Sequence, residues 1–262
     1  MENVSSLRER TFLQAFLGSF LNVKDYPLFV ERSLGSAIAH FVLLVTLVCS
    51  IYSGLTAYWV KAHVDPYVRQ AIAQVPTINV KNGIASSSIT QPHVIAIENQ
   101  PVFVLDTTQD PTVHLEKYPA ICVLSADRLT TKDSRGKIES YKLEGSFELS
   151  PGILNNGVEV VASWMLPLLF ILCALWQLSW KSLQVLLVAG IVTLVNSSRP
   201  GFSVHLRLAC YALSPAMVWG LAVYGAWLTG VYVPFASLIF WCILFGVTAG
   251  VAAQIRNSPK YH

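Results

Sequence analysis

The sequence predicts an α-helical integral membrane protein of about five spans, with one small β-rich domain inserted between spans 1 and 2. Three observations carry this. The 262 residues are 53% hydrophobic and only 13% charged, with positive mean hydropathy, whereas a soluble domain carries about 25% charged residues. Long runs contain no charge at all, from Gly35 to Val60, from Val160 to Trp180 and between Arg207 and Arg256. A bilayer core of roughly 30 Å needs about 20 apolar residues in a helix, so runs of this length read as spans. Finally, all 15 acidic residues lie at or before Glu159, while Lys181, Arg199, Arg207, Arg256 and Lys260 follow it.

Residues 1–34 form a mixed-charge leader in which Leu13, Phe16, Leu17 and Phe20 recur at helical spacing. This amphipathic stretch suits either the membrane interface, with Arg8, Arg10 and Lys24 near headgroups, or a short helix packed on the spans. Pro27 interrupts it before span 1, residues 35–60. That span starts too late and runs too long for a cleaved signal peptide, so it is expected to remain as an anchor.

Residues 61–155 have β texture. Thr77–Val80 and Ile84–Ile89 flank Asn82-Gly83, a strong hairpin signal. A second hairpin is expected from His93–Ile97 and Val102–Asp106 around Glu98–Pro101. Ala120–Leu124 is expected to pair with Lys137–Leu143 near a turn at Ser134–Gly136, and Asp65–Gln74 reads as a helical preface.

Residues 156–262 read as a span bundle, with spans at about 158–180, 182–197, 204–228 and 234–253; Thr229, Gly230 and Pro234 separate the last two. The basic leader favours a cytoplasmic amino terminus and an extracytoplasmic β domain. If 182–197 crosses fully there are five spans and the late basic residues Arg199, Arg256 and Lys260 fall outside, against the usual bias. If it dips in and returns, they fall inside.

Three segments in order resemble a bacterial membrane family catalogued as domain of unknown function 1189, related to a Yip-like group of five-span proteins. They are the aromatic leader Phe16–Phe29, the stretch Val75-Pro76-Thr77-Ile78-Asn79-Val80-Lys81-Asn82-Gly83 with Val104-Leu105-Asp106-Thr107, and Arg207–Pro215 with Tyr211-Ala212-Leu213-Ser214-Pro215. The resemblance implies one span, an external β domain and a carboxyl-terminal bundle in the bacterial inner membrane, and favours five spans. It implies no reaction.

The residues themselves point away from chemistry. Ionisable side chains inside spans are costly and usually functional. Reading Lys181 as a span boundary leaves no Asp, Glu, Lys or Arg in mid-span. Proton-coupled transport and intramembrane aspartyl or metal-dependent proteolysis are therefore disfavoured. His40, about one turn into span 1, suits interfacial hydrogen bonding better than proton handling. Of five cysteines only Cys122 lies in the β domain, so no disulfide forms within it. No Cys-x-x-Cys spacing suggests zinc. Asp65, His93, Asp106, Asp110, His114 and Glu116 have no metal-binding spacing, and Asp106 and Asp110 suit turns. No phosphate loop or nucleophile elbow occurs.

No catalytic residue, metal or cofactor is therefore expected, and no nucleic acid partner. The expected partners are membrane lipids and either another membrane protein or a second copy of the chain. Gly246 and Gly250, at close-packing spacing, and Gly220 are candidates for packing against a partner. Pro167 and Pro215 are candidates for kinks that open a cleft, with Ser163, Ser214 and Asn196 available to satisfy freed backbone groups. Trp59, Trp180 and Trp227 read as interfacial anchors. The leading expectation is a non-enzymatic accessory, assembly or sensing subunit; the alternative is binding or transport of a lipid or small solute through the kinked bundle.

Overall fold

The computed structural model describes residues 12–21, 26–108, 110, 115, 122–133, 135–196 and 201–257. Arg8, Arg10, Lys24, His114, Glu116, Arg199 and Lys260 lie outside them. The chain forms two compact units, Met1–Ala57 with Leu166–His262, and Tyr58–Met165.

In the first unit, α1 (Phe12–Leu21) and α2 (Tyr26–Phe29) precede α3 (Leu34–His63). Ser33 starts α3 by accepting the Ser36 amide on its Oγ at 3.2 Å, so a side chain satisfies one of the helix's orphan donors. After the second unit come α5 (Pro151–Val195), α6 (Phe202–Leu228) and α7 (Ala236–Arg256). The α6–α7 connection contains Gly230 at φ +80°, as expected where a helix must stop. Their buried core joins Phe16, Tyr26 and Phe29 of the leader to Leu44, Val48, Val188, Tyr211, Leu213, Leu244 and Val251. The leader is thus packed on the bundle: Phe16 and Ser19 are buried, while Leu17 points outward.

Four helical stretches among the described residues are long and apolar enough to cross a membrane: Leu34–Gln74, Pro151–Val195, Phe202–Leu228 and Ala236–Arg256. The division expected at Lys181 does not exist. Residues 158–180 and 182–195 belong to one uninterrupted helix, and the basic side chain is accommodated inside it rather than marking an end. No proline or glycine near Lys181 breaks the backbone ladder there.

The second unit begins within α3 and includes α4 (Asp65–Gln74), two sheets and the start of α5. Strands β1 (Ile78–Lys81) and β2 (Ile84–Ser87) form the hairpin expected at Asn82-Gly83. Both turn residues have positive φ, 53° and 78°, the geometry whose twist matches the flanking strands. The later strand β8 (Phe147–Leu149) returns to pair with β1 and completes a three-stranded sheet.

The second sheet has the order β3-β4-β5-β6-β7, with β3 (His93–Ile97), β4 (Gln100–Leu105), β5 (Cys122–Leu124), β6 (Arg128–Lys132) and β7 (Ile138–Lys142). The second hairpin turns at Glu98-Asn99, so β4 starts two residues before the expected Val102. The pairing expected between 120–124 and 137–143 is interrupted: β6 lies between β5 and β7, antiparallel to both. Its sequence, Arg128-Leu129-Thr130-Thr131-Lys132, carries little apolar alternation, which is why it reads as a connection. Ile78, Val80, Ala85, Leu105 and Leu124 form a core shared by the two sheets, and Val104 and Val123 are covered by Leu115 on the other face.

Candidate functional site

Among the polar features inside the helical unit, three bear most on function. The first is a chain of hydrogen bonds linking α1, α2, α3 and α6. Pro215 has no amide hydrogen, so the Tyr211 carbonyl four residues earlier loses its helical donor. The Tyr26 hydroxyl supplies a partial replacement, sharing its one hydrogen between Ser19 O at 2.7 Å and Tyr211 O at 3.2 Å. Burial pushes the Tyr26 phenol well above its ordinary range, keeping it a donor at any usable pH.

Beside it, Ser214 Oγ lies 2.9 Å from both Ser19 Oγ and His40 Nε2. All three side chains are buried, and His40 packs against the Tyr211 and Phe16 rings. Counting protons orders this chain. Ser19 Oγ donates to Phe16 O at 2.6 Å, so Ser214 donates to Ser19, and His40 must donate from Nε2 to Ser214. His40 is then the donor, and its Nδ1 has no partner. A serine is activated by a base that accepts its proton; this order runs the other way. Ser214 therefore serves the leader and His40, not the backbone group freed by Pro215. Arg207 closes the same end by donating from Nη1 to the carbonyls of Val30 and Arg32.

The second feature is Lys181. Its side chain is buried in α5, donates to Gln184 Oε1 at 2.9 Å and lies 3.9 Å from the centre of the Phe240 ring. The reading of the spans as free of internal charge is thereby corrected. A buried ammonium is tolerated here because a side-chain carbonyl and an aromatic face share its charge.

The third is a cavity of about 350 Å³ lined by residues including Tyr52, Ser53, Thr56, Cys173, Gln177 and Tyr224. Thr56 Oγ1 donates to Tyr52 O at 2.7 Å, and the Tyr224 hydroxyl is hydrogen-bonded to Thr56 Oγ1. Ser53 Oγ and Gln177 Oε1 are buried without a partner.

The residues singled out from sequence are dispersed among these features. Gly246 and Gly250 are exposed, as is Cys242 one turn earlier, and a methyl group on either glycine would meet nothing within 4 Å. Gly220 instead faces Tyr52, whose hydroxyl lies 3.3 Å from where a Cβ would be. Pro167 lies two residues before Leu169, part of the cavity wall, whereas Pro215 belongs to the leader's seat. Neither proline is among the residues that line the cavity. Asn196 stands at the end of α5, away from either proline, and Ser163 Oγ donates to Val160 O.

Trp227 is exposed at the end of α6, and Trp59 stacks on His63 near the end of α3. Trp180 stacks on Trp176 about four turns before the end of α5. Among the described residues no group of three His, Cys, Asp or Glu side chains converges as a metal site. Tyr26, Ser19, Ser53, Gln177 and Gln184 were missed from sequence. Of these, only Tyr26 had a legible cue, since a proline inside a span demands an outside donor.

Four long apolar helices with a β-rich unit inserted between the first two define the membrane-protein class to which this architecture corresponds. Within that class, the chain belongs to the family described as Protein of unknown function (DUF1189), whose model matches residues 13–250. No curated protein and no solved structure matches it.

Proposed function

We propose that this protein is a non-enzymatic subunit of the bacterial cytoplasmic membrane that works by binding another membrane or envelope protein, as an accessory, assembly or sensing component. The observation that carries this reading is the outward stripe of Cys242, Gly246 and Gly250 on α7. Lipid tails are as apolar as leucine, so helices associate in membranes through close packing, and small residues four apart permit it. Among the described residues nothing lies within 4 Å of where a Cβ of Gly246 or Gly250 would stand, and Cys242 is exposed.

The proposed topology has four crossings, with the amino terminus cytoplasmic and the β-rich unit extracytoplasmic. Arg32, Arg199, Arg207, Arg256 and Lys260 then lie on the cytoplasmic side, and the connection from Thr229 to Phe235 on the other side carries no charge. Lys61 is the basic residue near a span that falls outside. A fifth crossing would require a turn at Lys181, through which α5 runs unbroken.

The test is purification of a natively expressed, tagged chain in mild detergent, beside the Gly246→Leu/Gly250→Leu variant. A stoichiometric membrane protein retained by the wild type and lost from the variant supports the reading. If the partner is a second copy, copper-phenanthroline oxidation will cross-link Cys242 to Cys242 in native membranes. A monomer without partner or cross-link in both forms would overturn it.

A further inference from the structure

We propose that the cavity between α3, α5 and α6 is a binding site for a neutral, multiply hydroxylated group such as a glycerol moiety. The proton inventory of its wall carries the argument. Thr56 gives its hydrogen to the Tyr52 carbonyl, so the hydrogen between Thr56 and Tyr224 belongs to Tyr224. Tyr224 Oη retains acceptor capacity, Gln177 Oε1 is an acceptor with no donor, and Ser53 Oγ is uncommitted. Ser53 is only 3% exposed and lies in the cavity wall, where its hydroxyl has no partner from the chain among the described residues. Stranding such groups costs stability, and they persist where something else completes them.

The wall also sets the ligand's charge. Among the described residues no Asp, Glu, Lys, Arg or His lines the cavity, so neither a phosphate nor an ammonium would find a counter-charge among them. The Gln177 amide and the Ser53 hydroxyl can donate, while Gln177 Oε1 and Tyr224 Oη can accept, so the wall suits a neutral group that both donates and accepts hydrogen bonds. Neutral hydroxyls meet both conditions. About 350 Å³ accommodates a glycerol-sized group together with the first carbons of attached chains. Leu169 and Cys173 provide the apolar side, and every lining residue except Ser53 is partly exposed, so the cavity reaches the bundle surface. Such a group can come from the headgroup of a neutral glycerolipid or from a free polyol.

This site is separate from the Gly246 face and stands whether or not a protein partner binds there. The full chain, purified in mild detergent, would be incubated with dioleoylglycerol, with glycerol, or with dioleoylphosphatidylcholine. Native mass spectrometry would read retained lipid, and thermal shift would read glycerol. Wild type is expected to retain dioleoylglycerol, or to be stabilised by millimolar glycerol, with phosphatidylcholine at least tenfold weaker. The first result identifies a lipid source and the second a soluble one.

Gln177→Leu and Ser53→Ala each remove a stranded polar atom. Both are therefore expected to melt no lower than wild type while losing at least tenfold in binding. Equal retention of phosphatidylcholine, equal binding by the variants, or no response to either hydroxylated probe would overturn the assignment.

Discussion

Removing the Tyr26 hydroxyl tests whether the leader completes the helix that Pro215 breaks. In Tyr26→Phe the ring stays in its fully buried seat, but the Tyr211 carbonyl loses its 3.2 Å donor and the Ser19 carbonyl its 2.7 Å donor. A buried acceptor left unpaired costs about 1–3 kcal/mol, so a loss of roughly 2 kcal/mol is expected. For a chain of this size each kcal/mol shifts Tm by roughly 2–4 °C, giving a fall of about 4–8 °C. Cys49 and Cys210 are buried in the same unit, so a thiol-reactive fluorogenic maleimide reports its unfolding during a temperature ramp.

The decisive comparison is a double-mutant cycle. Pro215→Ala restores an amide that can serve Tyr211 O within the helix, so Tyr26→Phe should then cost less by about 1 kcal/mol or more. An equal cost in both backgrounds would refute the link between the leader and the proline.

Three further outcomes follow from other contacts. Gly83→Ala, at φ +78° and with a Cβ only 2.6 Å from Leu143 O, should destabilise the β-rich unit by about 1–3 kcal/mol; wild-type hydrogen-exchange protection of β1 and β2 would contradict this. Lys181→Met strands Gln184 Oε1, so adding Gln184→Leu should recover about 1–3 kcal/mol; identical melting of the single and double variants would show that the pair carries no weight. For topology, alkaline phosphatase inserted at Gly136 should be active and a carboxyl-terminal green fluorescent protein should fluoresce, whereas a dark terminal fusion at normal expression would exclude four crossings.

Much of the helical architecture is legible because the bilayer imposes a length on apolar runs, and Asn82-Gly83 announces its hairpin through backbone conformation. Lys181 misled for a physical reason: a cation in an apolar run ordinarily marks an end, and its accommodation depends on Phe240, 59 residues away in sequence. Strand β6 was hidden because its pairing depends on neighbours on both sides rather than on its own alternation. The cavity was also illegible. Ser53, Gln177 and Tyr224 belong to three different helices, and their common orientation arises only from packing. Gly246 and Gly220 look equivalent in sequence, yet one faces outward and the other meets Tyr52.

The seat of the leader also imposes an order on biogenesis. Ser19 is made early, but the Ser214 side chain it meets follows 195 residues later. At about 5–20 residues per second, translation alone separates them by roughly 10–40 s. During that interval the leader has no α6 to receive it, and its buried polar groups must remain hydrated or find temporary partners. A segment translated well before α6 therefore reaches its native position only after α6 is made, and a factor that holds it in the meantime competes directly with closure of the finished bundle.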